Sequence, residues 1–261
     1  MGVRMRFILV HGGFHGAWCW DRLVPELEAL GHETVAIDLP GHGKRRDEVS
    51  TLEGRRDAIL EVLRPGDVLV GHSGGGYDVT LAADAAPEKV GHIIYLAAAL
   101  PLEGRPLIEA SGGRSAEEVG ESGKTQLMTE ETGMMRFIRL TARGRMECCD
   151  FDAVRDFFYH DCAEADARWA YSQLSPAPVE FLLEPIHLRN FWKADLPRSY
   201  ILCLQDRAAP RSLCAGFIER LGVEPMEIDA SHSPFLSMPR ATAKLFVEAT
   251  RSLPVRPLRP N

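Results

Sequence analysis

Short runs of apolar residues alternate along the chain with longer segments in which apolar residues recur every three or four positions. The short runs have the length of buried β-strands, and the longer segments have the period of helices that cover a sheet. This alternation predicts an α/β protein, with a mostly parallel sheet that carries helices on both faces. Six runs are predicted strands: residues 6–10, 33–39, 67–72, 92–99, 199–205 and 225–229.

The segments between these runs predict five helices: residues 17–30, 50–63, 74–86, 211–221 and 240–250. Ser50 and Glu53 have the spacing of a capping box, in which two side chains satisfy backbone amides at the start of a helix. Residues 102–190 break the alternation and contain no clear strand. We therefore predict a core formed by residues 1–101 and 191–261. The intervening residues 102–190 would form a helical cap over the carboxyl ends of the strands.

The sequence VGHSGGGYDV, residues 70–79, places Ser73 between a predicted strand and a predicted helix. G-x-S-x-G at such a turn is typical of a nucleophile elbow, which holds a serine in a strained conformation with its oxygen above the sheet. Gly71 and Gly75 are positions where a side chain would clash with the neighbouring strand and helix. The alternatives are a plain tight turn and a phosphate-binding loop, but the loop requires a following lysine or a glycine spacing that this chain lacks.

A serine nucleophile needs a base, and the base needs a carboxylate that orients it. In this architecture the order along the chain is serine, acid, histidine. Asp206 and His232 follow the last two predicted strands, and Glu103 is the alternative acid. The non-catalytic interpretations are a helix cap for Asp206 and a surface hydrogen bond for His232.

Two backbone N–H groups are predicted to bind a developing oxyanion. Gly74 follows the serine directly, and Gly13 lies in the glycine-rich loop after the first strand, where a missing side chain permits close approach of a ligand. His11 and His15 are four residues apart in the same loop, but they lack the glutamate and the helix of a zinc motif. No metal and no cofactor is expected.

Composition narrows the class of protein. The 261 residues, of which 45% are hydrophobic, suit one domain with an insertion or one large α/β unit. A net charge of −7 without a basic stripe gives no reason to expect a nucleic-acid partner. No apolar run reaches the ~18 residues of a membrane span, and the four apolar residues near the start are too few for a signal peptide. We expect a cytoplasmic protein without membrane contact; a homo-oligomer is compatible with the sequence.

Six scattered cysteines form no C-x-x-C pair, so free and mostly buried thiols are expected rather than disulfides or a zinc site.

Four stretches together resemble the α/β-hydrolase superfamily: FILVHGGFHGAWCWDRLVPELEALGHETVAIDLPGHG, VGHSGGGYDV, CLQDRAAP and SHSPFLSMP. They are most similar to the small esterase branch related to plant methyl esterases and hydroxynitrile lyases. The resemblance covers roughly residues 6–101 and 198–250, and FFYHDCAEADARWAYSQLSP (157–176) resembles the cap of bacterial members.

The resemblance implies a triad of Ser73, Asp206 and His232, with Gly13 and Gly74 as oxyanion donors. These are the same five residues that the chemistry of the motifs indicates.

Three positions depart from these relatives. Hydroxynitrile lyases carry a threonine where this chain has Gly12, and a lysine where it has Ser233. Without that lysine no cation receives a leaving cyanide, which favours hydrolysis over cyanohydrin cleavage. Gly74 stands where a leucine or methionine is usual, so a wider acyl pocket is expected.

The expected function is hydrolysis of a carboxylic ester of a small apolar or aromatic substrate through an acyl-enzyme intermediate. Amide or carbamate hydrolysis, hydroxynitrile-type lyase chemistry and ligand reception without catalysis are alternatives on the same fold. Nine apolar residues in and beside the cap either line a pocket or pack the cap onto the sheet: Met128, Met134, Met135, Phe137, Phe157, Phe158, Tyr159, Trp169 and Trp192.

Overall fold

The computed structural model describes residues 4–110, 136–251 and 259–260. Its strands are β1 (Arg6–Val10), β2 (Glu33–Ile37), β3 (Asp67–His72), β4 (Val90–Leu96), β5 (Ile138–Leu140), β6 (Met146–Cys148), β7 (Arg198–Cys203) and β8 (Met226–Ile228). Six of them form one sheet in the order β2-β1-β3-β4-β7-β8, and every neighbouring pair is parallel. This is the six-stranded sheet that the apolar runs predict.

The α-helices are α1 (Leu23–Ala29), α2 (Leu52–Leu60), α3 (Gly75–Ala85), α4 (Leu107–Ala110), α5 (Phe151–Phe158), α6 (Glu164–Gln173), α7 (Arg211–Leu221), α8 (Pro234–Ser237) and α9 (Pro239–Ala249). Short 3₁₀ helices span Ala17–Trp20, Gly43–Arg45, Pro87–Lys89, Glu180–Leu183 and Phe191–Lys193.

Strand β1 shows why helices lie on both faces of the sheet. Its side chains alternate, because successive residues of a strand point to opposite faces. Phe7 and Leu9 pack in one core with residues of α1 and α9. Ile8 and Val10 pack in a second core with residues of α2 and α3. All four side chains are fully buried, which is why the strand is apolar at consecutive positions.

Two helix starts differ from the prediction. The prediction of a single helix over residues 17–30 is wrong. A 3₁₀ helix comes first, and α1 begins at a point that puts Pro25 in its first turn. Proline lacks an N–H and would collide with a preceding helical turn. Ser50 is not the cap of α2, because Thr51 fills that position and its Oγ accepts a hydrogen bond from the Gly54 N–H at 3.0 Å.

The predicted cap, residues 102–190, contains strands as well as helices. Strands β5 and β6 form an antiparallel hairpin within residues 102–190, where the sequence predicts helices only. Each strand has three residues, too few for a period of two to be recognisable. Residues 111–135, with Met128, Met134 and Met135, lie outside the described residues. The division into core and cap remains a prediction.

Candidate active site

Ser73 lies at the turn between β3 and α3 with a left-handed backbone, φ +52. Its N–H donates to the carbonyl oxygen of Leu96 at 3.2 Å, and its own carbonyl accepts from the N–H groups of Gly76 and Ala99 at 3.1 and 3.0 Å. A side chain in the left-handed region is strained, and such strain persists only where the surrounding structure holds it. These bonds to the start of α3 and to the chain at the end of β4 hold the turn.

The glycines around Ser73 are required by close packing. A Cβ on Gly71 would stand 2.7 Å from the carbonyl oxygen of Gly75, and a Cβ on Gly75 would stand 2.6 Å from the carbonyl oxygen of His11. Both contacts are with backbone atoms that have no room to move. The clash that the sequence predicts at Gly71 and Gly75 is therefore present.

His232 and Asp206 form a buried hydrogen-bonded pair. The His232 Nδ1 lies 2.7 Å from Asp206 Oδ2, and the two residues are 2% and 8% exposed. The second carboxylate oxygen accepts from the N–H groups of Ala208 and Ala209, both at 2.8 Å. Because the carboxylate only accepts, Nδ1 carries the proton and Nε2 is left with a lone pair.

Opposing effects act on the pKa of Asp206. Burial raises it, but the charge interaction with His232 and the hydrogen bonds from His232, Ala209 and Ala208 outweigh burial, so the pKa lies below its usual value. The side chain is therefore an anion at neutral pH, next to the imidazole that it would stabilise as a cation.

Glu103, the alternative acid, lies elsewhere. Its Oε2 accepts from the Leu188 N–H at 3.1 Å and from the Trp192 indole N–H at 2.6 Å, and its Oε1 lies 3.4 Å from His187 Nδ1. The structure thus brings Asp206 to His232, while Glu103 fixes part of the segment that leads into β7.

The loop after β1 lies against Ser73. A Cβ on Gly12 would stand only 2.7 Å from the Ser73 Cβ, and the Gly13 amide nitrogen lies 3.8 Å from where a Cβ on Gly74 would stand. Gly74, the residue after the serine, is the N-cap of α3 and has a φ of −58. The backbone amides of Gly13 and Gly74 are therefore neighbours at the serine.

Ser73, His232, Gly13 and Gly74 share the wall of one cavity of about 200 Å³. The larger apolar side chains of the wall are Phe14, Ile108, Met146, Phe158, Phe181, Leu182, Leu213 and Phe217. An apolar pocket with a few convergent polar groups is typical of a small-molecule site.

The charged residue of this wall is neutralised. Arg55 lines the cavity, and its guanidinium donates two hydrogen bonds of 2.7 Å to the carboxylate of Asp78, with both residues at most 2% exposed. The guanidinium also stacks 4.2 Å above the ring of Phe181. The pair therefore leaves the pocket without net charge at this end.

The sequence profile of the alpha/beta hydrolase family matches residues 7–245. The chain belongs to this family. The resemblance and the fold that it implies are confirmed.

Two of three proteins similar to this hydrolase are named as esterases, which supports an esterase. Methylesterase 7 of Arabidopsis thaliana is 30% identical, over 93% of this chain and 95% of that protein. Norfluorocurarine synthase 2 of a Strychnos species is also 30% identical, over 95% and 96%. The crystal structure of polyneuridine aldehyde esterase has a TM-score of 0.76 at 26% identity, and the match covers 94% of this chain and 99% of that one.

Nine apolar residues were singled out in the sequence of this hydrolase. Of those that the structure describes, only Phe158 lines the cavity. Phe137 and Phe157 are buried in the core, and Trp169 is 38% exposed. The sequence reasoning missed wall residues on α7, where Leu213 and Phe217 are four residues apart. That spacing, which places both on one helix face, was the available signal.

Four buried histidines surround the site of the hydrolase: His11, His15, His42 and His72. Burial lowers the pKa of each, to about 4 for His11 and about 3 for His15. They are neutral at pH 7 and act as fixed hydrogen-bonding groups.

Within residues 4–110, 136–251 and 259–260, no group of three or more side chains has the arrangement of a metal site, and no helix is long and apolar enough to cross a membrane. All six cysteines are free, and four of them are buried, as the sequence predicts.

Proposed function

We propose that this hydrolase cleaves carboxylic esters of small apolar or aromatic substrates by serine catalysis. The observation that carries the proposal is the buried Asp206–His232 pair beside a strained serine on the wall of one pocket. A carboxylate, an imidazole and a hydroxyl in this order along the chain are the parts of a catalytic triad.

In the proposed reaction the Ser73 oxygen attacks the ester carbonyl while Nε2 of His232 takes the hydroxyl proton. Asp206 holds the imidazole in the tautomer that leaves Nε2 free, and it stabilises the imidazolium that forms. The N–H groups of Gly13 and Gly74 donate to the oxyanion of the tetrahedral intermediate. The intermediate collapses, and the alcohol departs with the proton from Nε2. Water then attacks the acyl-serine in the same way and releases the acid.

The wall of the cavity supports the choice of substrate. Its larger side chains are apolar, and the buried ion pair at one end has no net charge, so the pocket favours neutral and apolar groups. Triad chemistry needs no metal or cofactor, and we propose neither. Cyanohydrin cleavage is disfavoured by Ser233 at the position where a lysine would receive cyanide.

Hydrolysis of 4-nitrophenyl acetate and benzoate tests this proposal, with the corresponding anilides, an aryl carbamate and a cyanohydrin as alternative substrates. Ser73→Ala should lower kcat by about 10⁴- to 10⁶-fold with an unchanged melting temperature. An aryl phosphonate should add one phosphonyl group, located at Ser73 by mass spectrometry. A Ser73→Ala variant that keeps a tenth of the wild-type rate would refute the assignment, and a faster amide or lyase reaction would refute the substrate class.

A further inference from the structure

One short segment at the end of α5 touches three of the four loops that carry the proposed catalytic groups: those of Gly13, Asp206 and His232. We propose that residues 158–161, here called the clamp segment, position these loops for catalysis. The inference rests on the function proposed above and adds positioning residues to it.

The first contact reaches the oxyanion loop. The Tyr159 hydroxyl lies 2.6 Å from His15 Nε2, and His15 Nδ1 lies 2.8 Å from the carbonyl oxygen of Gly13. A carbonyl only accepts, so His15 carries its proton on Nδ1, and Nε2 accepts the hydroxyl proton of Tyr159. The low pKa of His15 keeps this ring neutral and the direction of both bonds fixed.

Gly13 gains from this relay because glycine is the least restrained residue of a backbone. It has no side chain, and a Cβ placed there would meet nothing within 4 Å beyond its chain neighbours. Without a Cβ, glycine adopts a wider range of backbone conformations than any other residue. The hydrogen bond to its carbonyl therefore fixes the residue whose N–H would bind the oxyanion, and Tyr159 holds that bond in place from the cap.

The second contact reaches the acid loop. His160 Nε2 donates to the carbonyl oxygen of Gln205 at 2.8 Å, one residue before Asp206. The N–H of Gln205 in turn donates to the carbonyl of Ala230 at 3.0 Å, which joins the acid loop to the histidine loop. The position of His160 thus bears on both members of the Asp206–His232 pair.

The third contact reaches the histidine loop on either side of His232. The Asp161 carboxylate accepts from the Ser231 N–H at 2.9 Å, from the Ser231 hydroxyl at 2.5 Å and from the Ser237 hydroxyl at 2.8 Å. The Phe158 ring stacks on the imidazole of His232 with centroids 5.5 Å apart and planes at 30°. His232 is therefore held through its backbone neighbours by Asp161 and through its ring by Phe158, both in the clamp segment.

Tyr159→Phe tests the oxyanion contact, because it removes one hydroxyl and keeps the buried ring. We expect kcat on 4-nitrophenyl acetate to fall about 10- to 100-fold, since small misplacements of catalytic groups carry costs of this size. KM should change less than about twofold, because the oxyanion donors act in the transition state and not on bound substrate. Phosphonylation of Ser73 should slow by the same factor as kcat.

Asp161→Ala tests the histidine loop, and Asp161→Asn is its conservative counterpart. The asparagine keeps one acceptor oxygen, so it should recover part of the kcat that the alanine loses. Asp152→Asn is the matched control, because it removes the same charge from an exposed position on α5. This control should match the wild type in kcat and KM.

Melting curves by circular dichroism, with assays well below each midpoint, separate misalignment from unfolding. If Asp161→Ala does not fold, Tyr159→Phe and Asp161→Asn decide the question. Wild-type kcat in these variants, or a raised KM with unchanged kcat, would overturn the clamp segment as a positioning element. A wild-type protein without esterase activity or labelling at Ser73 would refute the proposed function and the clamp together. An active, labelled wild type with unaffected variants would refute the clamp alone.

Discussion

Gly74→Leu is the substitution that most directly tests the shape of the acyl pocket. Gly74 has an ordinary helical backbone, φ −58, and the nearest atom to an added Cβ is the Gly13 nitrogen at 3.8 Å. The backbone therefore accepts a side chain without strain, and its N–H remains in place. Because Gly74 lines the cavity, the four added carbons enter the space in which the proposed substrate would place its carbonyl group.

The size of the effect follows from what the leucine would displace. The cavity measures about 200 Å³, so a phenyl acyl group and a leucine side chain compete for the same space. Full burial of a phenyl-sized side chain is worth about 1.5–3 kcal/mol. Loss of that burial for benzoyl esters, with little change for acetyl esters, lowers the benzoyl-to-acetyl ratio of kcat/KM by about 10- to 100-fold.

The assay compares kcat/KM for 4-nitrophenyl acetate and 4-nitrophenyl benzoate, which share one leaving group. Gly74→Ala is the intermediate variant and should shift the ratio less than leucine does. Equal melting temperatures would show that the fold is retained. A benzoyl-to-acetyl ratio that is unchanged or higher in Gly74→Leu would mean that this position does not face the acyl group.

Three further results are expected. Asp206→Asn should lower kcat by about 10³- to 10⁴-fold, while Glu103→Gln should leave it within a few-fold; the reverse order would make Glu103 the acid. The pKa of the buried His92 is lowered from 6.5 to about 4, so the unfolded chain binds a proton there that the folded chain does not. The free energy of unfolding should therefore fall as the pH drops from 6.5 towards 4. In His92→Leu, measured by urea unfolding, this free energy should change less with pH than in the wild type, by up to ~1.4 kcal/mol per pH unit. An equal pH dependence in both proteins would contradict this. Gly75→Ala should destabilise the protein by about 1–3 kcal/mol, because the added methyl group would clash with backbone. Gly216→Ala should stabilise it by about 0.5–1 kcal/mol, because an added Cβ there meets open space within α7. Equal melting temperatures of the two variants would contradict the packing described at Gly75.

The centre of the sheet could be predicted from the sequence because β1, β3, β4 and β7 are largely buried. Strand β1 is apolar at four consecutive positions, a pattern that polar loops and amphipathic helices do not share. Parallel strands bring their carboxyl ends to one edge of the sheet, which is why Asp206 after β7 and His232 after β8 could be expected to meet. The hairpin of β5 and β6 escaped prediction because three residues carry no measurable period.

The contacts that residues 102–190 make with the rest of the chain could not be predicted from the sequence for a different reason. Tyr159 and His15 are 144 residues apart, and their hydrogen bond exists only because α5 packs onto the loop after β1. Arginine and aspartate usually lie at the surface of a protein, yet Arg55 and Asp78 form a buried ion pair in the pocket wall. Nothing local distinguishes such residues from solvated ones, because their burial depends on how distant segments pack.

Strand β8 also bears on how activity is lost when the protein is stressed. It is an edge strand of three residues with a single neighbour, β7. By contrast β3, which leads into Ser73, has six residues and lies between β1 and β4. Edge elements with few backbone bonds open at lower free energy than central ones. Amide hydrogens of β8 should therefore exchange faster than those of β3. In rising denaturant His232 would leave its place while the centre of the sheet is still folded, so inactivation would precede global unfolding.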